Sequence, residues 1–248
     1  MTLKQSLKNL AVKNPVFNII YRVLAGCNFF GRVLVNARFR SEVLTRLKYK
    51  ERHFQGPTYT LKDRSPVIFT QCEKYLQRVS CPKLLSFGCS TGEEVFTLAE
   101  YMPNASIIGV DINEWCIKQC ARKNKSEKLH FYHRFAGEFD AEFDFDAIFC
   151  IAVFQRGENR SFKDRITEGF TFQQFEDEVA MLHTKLKPGG LLIIHHSDFS
   201  FLDTKIADDY APLSFEENKK RYNRPLFDRN NLRISETNEY YRVFVRQS

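Results

Sequence analysis

The sequence predicts an α/β fold: a seven-stranded, mostly parallel sheet with helices on both faces at residues 65–248, preceded by a basic helical extension at 1–64. Three observations carry this. From Pro82 onward, short apolar runs alternate with amphipathic stretches. A parallel sheet flanked by helices reads this way, because its strands are buried on both faces and its helices on one. The chain has 248 residues, 43% hydrophobic and 14% aromatic, enough for one large core and a small addition. The net charge of +7 is divided: residues 1–64 hold 13 Lys and Arg against Glu42, Glu51 and Asp63, a balance of +10, and the remainder balances at −3.

The elements follow in order. TLKQSLKNLAVK, residues 2–13, places Leu3, Leu7, Leu10 and Ala11 on one helical face. Asn14-Pro15 punctuates it, and Pro15 suits the first turn of a longer helical region that runs to about Phe54, where Gln55-Gly56-Pro57 breaks it. VIFTQCEKYLQR, beginning at Val67, is a further helix closed by Ser80-Cys81-Pro82. The strands are KLLSFG from Lys83, ASIIGVD ending at Asp111, LHFYHR from Leu129, FDAIFCIAVF from Phe145 and GLLIIHHS from Gly190. Lys187-Pro188-Gly189-Gly190 announces the fifth. Between the fourth and fifth, TFQQFEDEVAMLHTKL is a helix whose Thr171 and Gln174 fit a capping box. Alternation in LRISETNEYYRVFVRQ supplies two final strands with Thr237-Asn238 near their turn.

SFGCSTGEEVFTLAEY, residues 86–101, carries the functional question. Gly88-Cys89-Ser90-Thr91-Gly92 fits the G-x-S-x-G elbow that presents a serine nucleophile, and it also fits a glycine turn whose backbone approaches a nucleoside. The hydrolase reading needs an oxyanion loop before the serine and a late histidine in a loop after an acid-bearing strand. No glycine-rich loop precedes Ser90, and His195 and His196 end an apolar strand instead. The nucleoside reading needs an acid at the end of the second strand about 20 residues on, to accept the ribose hydroxyls. Asp111 is 19 residues after Gly92. Ser90 and Glu93 stand where G-x-G-x-x-G would require glycine, which disfavours a nicotinamide or flavin.

On these motifs the chain resembles the class I S-adenosylmethionine-dependent methyltransferases, which have a Rossmann-like sheet. LLSFGCSTGEEVFTLA looks like their first motif, IIGVDIN like the ribose-binding second strand, FDAIFCIAVFQ like the fourth and LKPGGLLIIHH like the approach to the fifth. The first motif is particularly similar to that of chemotaxis-receptor glutamate methyltransferases, which also carry a basic helical N-terminal domain. The resemblance implies S-adenosylmethionine at Phe87, Gly88, Cys89, Ser90, Gly92, Glu93, Asp111, Ile112, Cys150, Ile151 and Ala152. Two departures stand out. Ser86 occupies a position where many members have an acid, a role open to Glu93 or Glu94, and His133-Arg134-Phe135-Ala136 replaces the segment whose acid commonly meets the adenine amino group.

Phe154, Gln155, Arg156 and Asp198, at the carboxyl edge of the fourth and fifth strands, are candidates for the substrate. His195 and His196 are candidates for a general base, needed only where the acceptor holds a proton that must leave. Ser90 and Thr91 with Glu93 and Glu94 also fit overlapping capping boxes. The implied reaction is in-line methyl transfer to a small-molecule acceptor. A macromolecular acceptor, RNA or a protein carboxylate recruited by the +10 segment, is the alternative; a serine hydrolase and a non-catalytic binding module stand behind it.

The basic segment itself has three readings: a cap over the acceptor cleft, an arm for an anionic partner, or an organellar transit peptide. Phe17, Tyr21, Phe29 and Phe30 would line the cleft or pack between helices. Arg22 and Arg32 interrupt its apolar run, so no transmembrane helix is expected. Seven cysteines, an odd number without C-x-x-C, point to a reducing, cytoplasmic compartment. Cys116 and Cys120 lie one helical turn apart, but no second pair follows at ligand spacing, so no metal is expected.

Overall fold

The computed structural model describes residues 15–50, 52, 54–55, 58–162, 164–222, 225–235 and 238–247, so the helix expected at 2–13 lies outside the described residues. The long N-terminal helical region divides into α1 (Pro15–Val35) and α2 (Ala37–Lys48). Asn36 makes the break. It is extended, and its side chain accepts the Phe39 amide, starting a new helix. Arg40 then reaches back to donate to the Val33 and Leu34 carbonyls that α1 leaves open. After a connecting segment comes α3 (Pro66–Leu76), with proline in its first turn.

The strands expected from Lys83 to the fifth apolar run are β1 (Lys83–Phe87), β2 (Ser106–Asp111), β3 (Leu129–His133), β4 (Phe145–Ile151) and β5 (Leu186–His195). Between them run α4 (Glu93–Tyr101), α5 (Glu114–Lys123), the short α6 (Gly137–Asp140) and α7 (Phe172–Lys185), whose Thr171–Gln174 capping box forms. β6 (Tyr210–Pro212) and β11 (Val243–Arg246) complete a seven-stranded sheet of order β3-β2-β1-β4-β5-β11-β6. The pairs among β1 to β5 are parallel, and β11 is antiparallel to both neighbours.

The tail departs from expectation. Only its second half enters the main sheet; β9 (Arg233–Ser235) pairs with β8 (Leu226–Phe227), and β10 (Asn238–Tyr241) pairs with β7 (Lys219–Tyr222). The sixth strand is Tyr-Ala-Pro, too short for alternation to reveal.

Both faces of the sheet are covered. Leu85, Phe87, Ile108, Ile148, Cys150 and Leu192 pack with Phe172, Phe175, Val179 and Leu182 of α7. Leu84, Ile107, Phe149, Ile151 and Ile193 pack with Ile68, Phe69, Val95, Leu98 and Cys120 from α3, α4 and α5. Strand β4 is buried at every position, as a central parallel strand must be. With both faces covered, the carboxyl edge is where a parallel sheet of this kind takes a ligand.

Candidate methyl-donor cleft

The turn after β1 is drawn tight by one acceptor: the amides of Gly88 and Cys89 both donate to the Val110 carbonyl, at 2.7 and 2.9 Å. Gly88 has φ +79°, and a Cβ there would stand 2.5 Å from Val153 Cγ2, so glycine is required twice over. Ser90 is left-handed too, at φ +51°, which aims its amide at Asp111 Oδ2 at 2.8 Å. Asp111 Oδ1 accepts the Asn113 amide at 2.7 Å. Burial raises the Asp111 pKa, and these backbone donors and His133 oppose the rise.

A strap formed by the segment before α3 roofs this edge. Tyr49 lies 4.9 Å from the Phe135 ring, and Phe54 lies 4.6 Å from Phe170 within the aromatic core. Arg38 holds Thr58 by its hydroxyl (2.8 Å) and its carbonyl (2.7 Å), and the same carbonyl accepts from Ser90 Oγ at 3.0 Å. The Ser90 hydroxyl thus ties the strap to the turn. Arg64, one-fifth exposed, donates through Nη2 to the Ile151 carbonyl (2.6 Å) and to Glu94 (3.2 Å). Glu94 is buried and also accepts from Ser86 Oγ at 2.7 Å. Burial raises its pKa, with Arg64 and Ser86 opposing.

Between strap and sheet edge is an open cleft of about 810 Å³, its mouth included. Following the sheet order across it, the β3 side gives Arg134 and Phe135, the β2 side Asp111, Ile112 and Asn113, the β1 turn Phe87, Gly88 and Ser90, and the β4 side Ile151 and Val153. Thr58, Tyr59, Thr60 and Arg64 come from the strap, and Glu178 from α7. Buried Nε atoms of both Arg64 and Arg134 lack a hydrogen-bond partner among the described residues. Two orphaned guanidinium donors lining one cleft suit a ligand rich in acceptors.

Of the residues expected at the methyl donor, Phe87, Gly88, Ser90, Asp111, Ile112 and Ile151 line the cleft. The others do not line it. Cys89 is buried with its thiol by the Ser90 carbonyl, 3.7 Å away. Gly92, at φ +91°, is the N-cap of α4, and a Cβ there would meet Phe96 and Cys120. It pre-empts the expected capping boxes; Thr91 donates instead to the Glu93 carboxylate at 2.6 Å. Glu93 pairs outside the cleft with Lys123 at 2.7 Å. Cys150 points to the α7 side, one strand position out of phase with Ile151. Ala152, at φ +62°, is held by its amide on the His195 carbonyl.

The substrate and base candidates likewise fall elsewhere. Phe154 is core, its ring 5.1 Å from Phe175 and 6.2 Å from Phe87. Gln155 is buried and accepts from Arg160. Arg156 packs against Gly169 and pairs with Glu158. Asp198 accepts the Arg156 amide and the Asn159 side chain, joining the segments that follow β4 and β5. His195 is buried with its ring 3.8 Å from that of His196, whose amide donates to Tyr240; neither lines the cleft. The side chain of Phe17 lies outside the described residues. Phe29 packs on Phe39 of α2, and neither Phe29, Phe30 nor Tyr21 lines the cleft. Cys116 and Cys120 are buried in α5, Cys120 Sγ standing 3.2 Å from the Ser90 carbonyl.

Sequence reasoning missed Arg64, Arg134, Glu178 and the strap. Asp63-Arg64 before a helix was a signal left unread; Glu178 gave none, because its helix is 67 residues after Asp111 in the chain and meets the cleft only through the fold.

Over 149 residues the chain is 27% identical to an uncharacterized protein of Synechococcus sp., covering 56% of this chain and 31% of that one. Over 86 residues it is 29% identical to the release factor glutamine methyltransferase of Fusobacterium nucleatum, covering 33% and 24%. The match thus spans less than a third of either relative's length. Among solved structures, TehB from Haemophilus influenzae shares 15% identity over 72% of this chain and 62% of that chain, with TM-score 0.46. A plantazolicin methyltransferase, BpumL, in complex with SAH shares 16% over 78% and 62%, with TM-score 0.40. The family model for a methyltransferase domain matches residues 81–247, from just before β1 to the end of β11. With that match over more than half its length, the chain belongs to the methyltransferase domain family of S-adenosylmethionine-dependent enzymes.

Proposed function

We propose that the chain transfers a methyl group from S-adenosylmethionine to a small-molecule acceptor by in-line displacement. The observation that carries this is the order of groups along the cleft: aromatic and apolar at β3 and β2, a carboxylate at the end of β2, and a guanidinium on the β4 side of the glycine turn. An elongated ligand with an aromatic base, a vicinal diol and a zwitterionic amino acid tail matches that order. Phe135 and Ile112 would flank the adenine, and Glu178, oriented by Arg134 at 3.3 Å, is the nearest acid for its amino group. Asp111 would accept the ribose hydroxyls and Arg64 would hold the tail carboxylate through its orphaned Nε.

Bound there, S-adenosylmethionine supplies an electrophilic methyl group on a sulfonium sulfur. The chain's part is alignment and exclusion of water. Arg64 fixes the tail against the end of β4, Gly88 lets the ligand approach the backbone, and Phe87, Ile151 and Val153 dry the cleft. The strap supports a small acceptor, because it narrows access to the edge where transfer would occur.

Calorimetry with S-adenosylmethionine and S-adenosylhomocysteine tests the first part. Both should bind, and Asp111→Asn should weaken them about tenfold or more, the cost of a charged hydrogen bond. Absence of heat with either would sink the reading. Transfer of a labelled methyl group from the donor, offered a cell extract, tests the second part: label should enter the small-molecule fraction. Label confined to RNA or protein would replace the acceptor class.

A further inference from the structure

Helix α1 is inverted relative to a helix that covers a core. It meets the rest of the chain through the stripe carrying Phe29 and Arg32: the Phe29 ring stands edge-on to Phe39 of α2 at 5.5 Å, and the Arg32 guanidinium lies 3.9 Å over that same ring. Ile19, Val23, Phe30 and Leu34 share another face by helical spacing, with Leu24 at its margin. These five are 59–76% exposed. A contiguous apolar face of this kind on a soluble chain marks something that covers it.

Charge selects the occupant. No Asp or Glu occurs before Glu42, and Arg22 and Lys50 are exposed on the same +10 segment. A second copy of the chain would bring +10 against +10. RNA would use the cations and leave the apolar face in water. An anionic bilayer takes both, with apolar side chains at the headgroup–acyl boundary and arginines among the headgroups. No helix among the described residues is long and apolar enough to cross a membrane, so α1 would lie along the surface. We propose that α1 docks this chain peripherally on an anionic membrane surface, in a mode that does not depend on the chemistry of the cleft.

The full chain should co-sediment with vesicles of phosphatidylcholine containing about one third phosphatidylglycerol and bind pure phosphatidylcholine about tenfold more weakly or worse. Phe30→Glu with Leu34→Glu should abolish sedimentation. Arg22→Glu with Lys50→Glu should weaken it about tenfold or more, and high salt should imitate that variant. Unchanged binding of S-adenosylhomocysteine, or an unchanged melting temperature should that ligand not bind, shows that the variants remain folded. No vesicle binding at any composition would overturn the proposal, whether or not RNA binds. So would a dimer, seen by analytical ultracentrifugation, that Phe30→Glu with Leu34→Glu dissociates.

Discussion

Asp111 is under two opposed influences: burial favours its protonated form, and the amides it accepts favour the ionised one. Its oxygens hold the Ser90 and Asn113 amides, and burial raises its pKa above the ordinary 3.8. Glu94 is raised by burial as well, against Arg64. A carboxyl raised in the fold adds stability that is fully present below its unfolded pKa and is lost as pH rises through the folded value. Methyl-donor affinity should run the other way, because the ribose hydroxyls need the ionised acceptor. We predict that affinity falls as pH is lowered, and at a pH above the ordinary 3.8, as Asp111 takes its proton. In Asp111→Asn that slope should flatten. Titration calorimetry at several pH values reads it, and an equally steep fall in the variant would refute the assignment. Asp111 was legible in the sequence because a local spacing rule points to it; Arg64 was not, because its role depends on a backbone carbonyl 87 residues away.

The strap lies within the segment expected to cover the cleft, but sequence analysis did not single it out. Composition marked residues 1–64 as a covering segment whose aromatic residues on α1 would line the cleft or pack between helices; Phe29 packs on Phe39, and neither it, Phe30 nor Tyr21 lines the cleft. The cover comes from the irregular stretch before α3, where periodicity has nothing to register. Strands β1, β2, β4 and β5, by contrast, were readable because each carries a run of mostly buried apolar residues; in β3 only Leu129 is buried. Phe54 anchors the strap between Phe170 and Phe154 while remaining half-buried itself. Phe54→Ala should therefore lower methyl-donor affinity about tenfold and cost the fold only about 1–2 kcal/mol, less than truncating a fully buried phenylalanine. Calorimetry and thermal melts separate these; an unfolded variant, or one with unaltered affinity, would show that the anchor is misassigned.

On the scale of the whole molecule, the cleft takes residues from both sides of the expected boundary at 64/65. The family match begins at residue 81 and so contains the glycine turn and Asp111 but not Arg64. A chain starting at residue 65 should keep the sheet, seen by circular dichroism, and bind S-adenosylhomocysteine about 100-fold more weakly, having lost the guanidinium and the roof together. One starting at residue 37 should bind within about threefold of the full chain, since α1 contributes nothing to the cleft lining. Equal affinity in all three would mean that the strap is ornament. The first five strands were readable along the sequence, whereas the sixth, three residues long, became visible only through its pairing with β11.

The bond from Ser90 Oγ to the Thr58 carbonyl reaches beyond geometry into kinetics. It ties the strap to the turn that the methyl donor would approach on the proposed reading, so entry of the donor and release of its spent form would be eased while that bond is open. Opening would then limit turnover, as lid motion does in many enzymes. Under steady-state conditions the spent cofactor would be the last species released and a strong product inhibitor, competing with fresh donor rather than with the acceptor.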